Sequence, residues 1–194
     1  MAKLTKIITI AALLLLMAGA MSAQESTFTD PQVDYSFVLP EAGWKMISKP
    51  SATSPNVEYV YNDRREGHLE VRKLSVAKSA YMTDVMRDEE TKLQFMPGYV
   101  AGKEEAFSGS LRGNIFNYEF VRAGRPMSGR FYFLRADDTT VYILRFTGER
   151  DRLKSIRNQT DSIARTFNIK GVKVTGSRPH PANSTAIFEA AGII

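Results

Sequence analysis

The stretch GNIFNYEFVRAGRPMSGRFYFLRADDTTVYILRFTGERDRLKSIRNQTDSIARTF, residues 113–167, decides the fold. It reads as three antiparallel strands followed by an amphipathic helix. Turn signals near Gly124-Arg125 and Asp137-Asp138 separate three runs rich in aromatic and β-branched residues, the composition of strands joined by tight hairpins. With those turns, Phe116, Phe133 and Tyr142 form one cross-strand row. Tyr118, Phe131 and Leu144 form the next, and Phe120, Gly129 and Phe146 the third, with Gly129 leaving room for its two large neighbours. Cross-strand pairs of this kind stabilise a sheet by about 0.2–1 kcal/mol each.

The opposite face alternates differently. Ile115, Leu134 and Val141 make an apolar row, then come Asn117, Tyr132 and Ile143, and finally Glu119, Arg130 and Arg145. A half-apolar second face implies a cover over part of it and one open end. The assignment rests on register, because a slip of one residue turns every side chain of a strand over. The helix begins near residue 149, where Thr147-Gly148 offers a cap and Glu149 and Asp151 suit the positive end of the dipole. Leu153, Ile156, Thr160, Ile163, Ala164 and Phe167 then recur at steps of three and four, one apolar stripe able to lie across a sheet.

Upstream, the pattern predicts strands over residues 34–39, 44–47, 57–61, 69–72 and 99–107, with a helix over 79–96 ended by Pro97-Gly98. Trp44, Tyr59 and Tyr61 read as core. Residues 24–33 are polar and read as a linker, and residues 171–194 lack any sustained period and read as a disordered tail. The intervening span, 34–170, is a single domain. The expected fold class is α+β: a mostly antiparallel sheet of about 6–7 strands with helices packed on its faces, an α-β-α sandwich.

The first residues read differently. MAKLTK is a basic leader, residues 7–20 are an apolar run, and small residues follow up to Ala23. This is the form of a secretory signal peptide, residues 1–23, and it predicts a periplasmic or extracellular protein with no stable membrane anchor after cleavage. There is no cysteine, which excludes disulfides, thiol catalysis and a lipid-modified cysteine anchor. The net charge of +5 is spread through a chain with 26 basic and 21 acidic residues, a mixture that argues against nucleic acid.

Tyr35-Ser-Phe-Val-Leu-Pro40 followed by Trp44 resembles the Y-x-F-x-x-P…W opening of the PsbP-like (Mog/PsbP) proteins. The block RFYFLRADDTTVYILRFTG, with a helix closing on Ile163-Ala-Arg-Thr-Phe167, is similar to that family's ending. The resemblance spans about residues 33–168. It implies helices on both faces of a sheet and a binding or assembly role, generally without catalysis, and it transfers no site residue.

Chemistry-bearing residues are few. His68 and His180 have no partner at metal-ligand spacing, and no nucleophile elbow, zinc-protease, Walker or dinucleotide motif is present; no cofactor or metal is expected. Asp84, Asp88, Glu89 and Glu90 read as a solvated helix face. The sharpest group is Glu119, Arg130 and Arg145, with Tyr132 and Asn117 on the adjoining wall. Two guanidiniums are able to grip a ligand's anionic group, and the alternative reading is an ion-pair cluster closing the sheet's end. The functional expectation is therefore a non-enzymatic exported binding or assembly protein with a protein partner in the cell envelope. One alternative is a carrier of a small anionic ligand at Glu119, Arg130 and Arg145, and another is a hydrolase with carboxylate chemistry.

Overall fold

The computed structural model describes residues 25–170. The expected signal peptide and C-terminal tail lie outside the described residues. Among the described residues ten strands and three helices follow in order: β1 (Ser26–Thr29), β2 (Tyr35–Leu39), β3 (Trp44–Ser48), β4 (Val57–Tyr61), β5 (Gly67–Ser75), α1 (Met82–Thr91), β6 (Val100–Ser108), β7 (Arg112–Arg122), β8 (Arg125–Arg135), β9 (Thr140–Glu149), α2 (Arg150–Ser155), α3 (Arg157–Thr166) and β10 (Asn168–Ile169). The fold is α+β, as its alternation of element types predicts.

The main sheet has seven antiparallel strands in the order β3-β4-β5-β9-β8-β7-β6. One face carries Leu69, Val71, Ile115, Tyr132, Leu134, Tyr142, Leu144 and Phe146, packed under Leu153, Ile156, Ile163, Ala164 and Phe167 of the C-terminal helical segment. The other carries Phe116, Tyr118, Phe120, Phe131, Phe133, Val141 and Ile143, packed under Val85 and Met86 of α1. Both faces are thus covered, which removes the polar face that an exposed antiparallel sheet would show.

A second sheet, not expected, has the order β1-β2-β10. Tyr35–Leu39 belongs to it and not to the main sheet. Its first strand lies inside the segment read as a linker. Phe28 explains this: it is buried, stacked on Phe37 with centroids 4.8 Å apart and edge-on to Tyr59. One aromatic anchor is enough to order a short polar strand when an edge is waiting for it. Thr166 Oγ1 accepts from Val38 N at 3.0 Å, tying β2 to α3.

The hairpin registers differ from the expectation. Between β7 and β8 the turn is Ala123-Gly124, with Arg122 opposite Arg125 and both turn residues at positive φ. This moves the pairing by two, so the faces survive while Tyr118, not Phe120, lies opposite Gly129. Between β8 and β9 the loop is three residues, Asp137 to Thr139, with Ala136 N bonded to Thr140 O and Asp137 Oδ1 accepting from Thr139 N. That extra residue turns β9 over. Tyr142, Leu144 and Phe146 go to the α2–α3 face, and Val141, Ile143 and Arg145 go to the α1 face.

Helix boundaries also shift. α1 is shorter than the span 79–96, and the predicted C-terminal helix is broken at Ile156 into α2 and α3. Thr147 and Gly148 remain in β9, so the cap falls on Glu149, without a side-chain cap bond.

Candidate functional site

Four of the five predicted site residues share the α2–α3 face. β7 supplies Asn117 and Glu119 to it, and β8 supplies Arg130 and Tyr132. Arg145 does not join them. The register of β9 puts it on the α1 face, where its Nε donates to Tyr118 Oη at 2.8 Å and its guanidinium lies 5.5 Å from the Phe131 ring centroid.

Arg130 is only 6% exposed. A buried guanidinium needs partners, since an uncompensated one costs several kcal/mol, on the order of 3–5. Three are present: Nη1 donates to Asn117 Oδ1 at 2.7 Å, Nε to Tyr132 Oη at 2.7 Å, and Nη2 to Asp161 Oδ1 at 3.0 Å. The Tyr132 hydroxyl donates to the same Asp161 oxygen and lies 3.0 Å from Thr160 Oγ1. Burial alone would depress the Arg130 guanidinium, but the Tyr132 and Asp161 oxygens beside it reverse that and hold it above its ordinary value. Burial pushes the Tyr132 phenol up; Arg130 works against the shift, and the bond to Asp161 reinforces it. Asp161 escaped the sequence reading. The signal was indirect: a covered sheet face carrying Arg130 and Tyr132 calls for an acid from whatever covers it.

Beside this network lies an open cleft of about 600 Å³ between α2–α3 and the start of β6, with β7 and β8 as its floor. Leu153, Val100 and Ala101 give it apolar surface, and Arg130, Arg150, Lys154 and Arg157 give it positive charge. Two further ion pairs bridge this helical segment to the sheet: Arg150 to Glu119 at 3.3 Å, and Arg157 to Glu105 on β6 at 3.9 Å. Lys154 lies between them in sequence and makes no ion pair among the described residues. Glu119, expected beside two arginines of the sheet, is therefore paired with a helix arginine instead.

On the α1 face a second polar group appears. Glu89, read as solvated, is 4% exposed. Its carboxylate accepts from Arg72 Nη2 and Lys92 Nζ, each at 2.6 Å. His68 pairs with Glu58 at 2.8 Å, and His180 lies outside the described residues. Among the described residues no group of three or more His, Asp or Glu is placed to hold a metal ion, and no helix is long and apolar enough to cross a membrane.

No family model matches the chain, and no curated protein sequence matches it. Solved structures do. The Ran-binding protein Mog1p of Saccharomyces cerevisiae aligns over 76% of this chain and 96% of its own, with a TM-score of 0.56 and 11% identity. Cyanobacterial PsbP (CyanoP) of Synechocystis aligns over 78% and 95%, with a TM-score of 0.53 and 15% identity. LpqN of Mycobacterium tuberculosis, involved in cell envelope biogenesis, aligns over 76% and 91%, with a TM-score of 0.51 and 14% identity. At such identities the likeness is one of fold, and the fold is the one that the Tyr35–Trp44 opening and the closing β9–helix block resemble.

Proposed function

We propose that this chain, which has the Mog/PsbP-like fold, is a non-enzymatic exported protein that binds a protein partner in the cell envelope. One observation carries the reading: an apolar corner at the free edge of the main sheet. Phe95 is 89% exposed and Val100 59% exposed. Val121 is also exposed, and its N–H donates to Pro97 O at 2.7 Å, which holds the Phe95 turn against the end of β7. Val100 pairs opposite Glu119, two residues from Val121, and Phe95 stands two residues before the Pro97 that Val121 bonds, so the three exposed apolar residues belong to the same end of the sheet's edge. Grouped exposed apolar side chains on a domain mark interaction surfaces, and phenylalanine is enriched in interface cores.

The edge beyond the corner is guarded. β6 is the outermost strand, yet its register breaks between Ala101 and Glu104, and Lys103, Glu104 and Glu105 follow. A bulge and charges of this kind discourage indiscriminate strand pairing, which directs docking to the corner itself. The hydrolase reading has less support, because Glu119 and Asp161 are each bound to an arginine. The three fold neighbours include a Ran-binding protein and a protein of envelope biogenesis, roles of the same broad kind. Export rests on the signal-like residues 1–23.

The test is recovery of partners from a cross-linked envelope extract with the native chain and with a Phe95→Ser variant. A partner retained by the native chain and lost by the variant supports the reading. Recovery of the bait alone, or of the same proteins with both, overturns it. Fractionation with N-terminal sequencing checks export: the chain found in the cytoplasm beginning at Met1 would contradict it.

A further inference from the structure

The cleft beside α2 has a composition that the corner does not explain. We propose that it binds a small amphiphilic anion, with a carboxylate or phosphate head at Lys154 between Arg150 and Arg157, and an apolar body over Val100, Ala101 and Leu153. This goes beyond partner binding; the two surfaces meet at Val100 and are told apart by Phe95 on one side and Lys154 on the other.

Charge argues first. Arg130, Arg150, Lys154 and Arg157 line the cleft against two carboxylates, Glu119 and Asp151. A cation is repelled by such a surface, and a neutral apolar molecule draws nothing from it. The three helix cations, Arg150, Lys154 and Arg157, are also free to turn toward a ligand. The Arg150–Glu119 pair is about half exposed on both sides, and the Arg157–Glu105 pair, at 3.9 Å, is similar. Exposed pairs of this kind stabilise by only about 0–1 kcal/mol, so exchanging a glutamate for a ligand anion costs little. Lys154 needs no exchange at all.

Shape and burial argue next. About 600 Å³ falls within the usual range for small-molecule sites, roughly 300–1,000 Å³, which are mostly apolar with a few placed polar groups. At the base Arg130 is buried and rigidly held by Asn117, Tyr132 and Asp161. Those three bonds leave part of its five-donor fork available. A fixed donor below, mobile cations above and aliphatic surface between them is the pattern an amphiphile with one anionic end would fit.

The test uses the purified protein and four probes below their micelle-forming concentrations: decanoate, decyl phosphate, decanol and decyltrimethylammonium. Binding is followed by amide shifts in ¹H–¹⁵N spectra and quantified by calorimetry. One or both anions should bind, moving the amides of Ala101, Gly102, Gly129 and Leu153, and the tighter of the two identifies the head group. Lys154→Glu, a change at an exposed position, should weaken that binding by about tenfold, as expected for reversing one charge-assisted contact, without moving the unfolding midpoint. Four outcomes overturn the proposal: neither anion binds, decanol binds equally well, Lys154→Glu leaves affinity unchanged, or the shifts gather at the Phe95 corner. Failure here leaves partner recovery through Phe95 untouched, and loss of the partner in the Phe95→Ser experiment leaves anion binding untouched, so the two readings fail separately.

Discussion

The guanidinium of Arg130 on β8 donates to Asp161 on α3 at 3.0 Å, and this bond joins the main sheet to its helical cover from inside. Arg130 is buried while Asp161 is partly exposed, so removing the aspartate strands a charge that water reaches poorly. Asp161→Ala should destabilise the fold by about 2 kcal/mol, the lower part of the range for breaking a buried pair because solvent reaches one partner. Replacing both residues, as Arg130→Met with Asp161→Leu, should cost less than Asp161→Ala alone, since no charge is then left unpaired. Urea unfolding of the three proteins decides it; a double variant less stable than the single would contradict the account.

The β7–β8 turn stores removable strain. Ala123 has φ of 49° and Gly124 has 71°. Two successive left-handed residues make the type I′ geometry that suits hairpins and favours Asn-Gly. Alanine is a poor occupant of the first position, because its Cβ meets the following carbonyl. Ala123→Asn should raise stability by about 0.5–1 kcal/mol, read as a higher denaturant midpoint at unchanged slope. A neutral or destabilising result would argue against the observed turn and its register.

Gly129 faces Tyr118 across the same hairpin. A Cβ added there would come within 2.0 Å of Tyr118 Cζ, so the ring occupies the space a side chain would need. Gly129→Ala should cost about 1–3 kcal/mol, the usual range for overpacking. Adding Tyr118→Val should recover part of that cost despite losing the bond from Arg145. Thermal unfolding of single and double variants separates this from a backbone effect, which Tyr118→Val would not relieve.

Much of the architecture was legible, and the exceptions have a common cause. Period-two alternation and turn signals located β2 to β9, and most of these strands bury one or both faces; the edge strand β6, exposed except at Phe107, is the exception. It failed to orient β9, where Val141 and Ile143 on one side and Tyr142, Leu144 and Phe146 on the other are all buried. With no polar face to expose, the pattern is indifferent to a one-residue slip, and only loop length decides. The loop looked like a two-residue Asp-Asp turn, but Asp137 folds back on Thr139 and lengthens it by one. That single residue took Arg145 out of the candidate site. Asn117, Glu119, Arg130 and Tyr132 kept their common face because the β7–β8 error was an even number. Glu89 was misjudged and Asp161 passed over for a related reason: an acid on a short helix looks solvated until the basic residue beneath it, Arg72 for buried Glu89 and buried Arg130 for Asp161, is placed.

Glu89 sets the acid limit of the α1 face. Burial alone would raise its carboxyl, but the bonds from Arg72 and Lys92 outweigh that and hold it below its ordinary value of 4.5. The folded-state pKa is thus lower than the unfolded one, and the stabilisation is present above about 4.5 and lost as pH falls through the folded-state value. Glu89→Gln removes the charge that both Arg72 and Lys92 answer, and leaves those two cations facing each other. At neutral pH it should therefore cost about 2–3 kcal/mol, less than a fully enclosed pair because the Lys92 end is exposed. The difference between native protein and variant should narrow as the pH is lowered from 7 to 3, because the native carboxylate then becomes neutral as well. Asp34, bonded to Lys73 and Tyr142, is also held below its ordinary value and titrates equally in both proteins, so the difference isolates Glu89. Urea midpoints across that pH range are the measurement. A gap that stays constant from pH 7 to pH 3 would mean that packing of α1, through Val85 and Met86, holds this face without help from the charge.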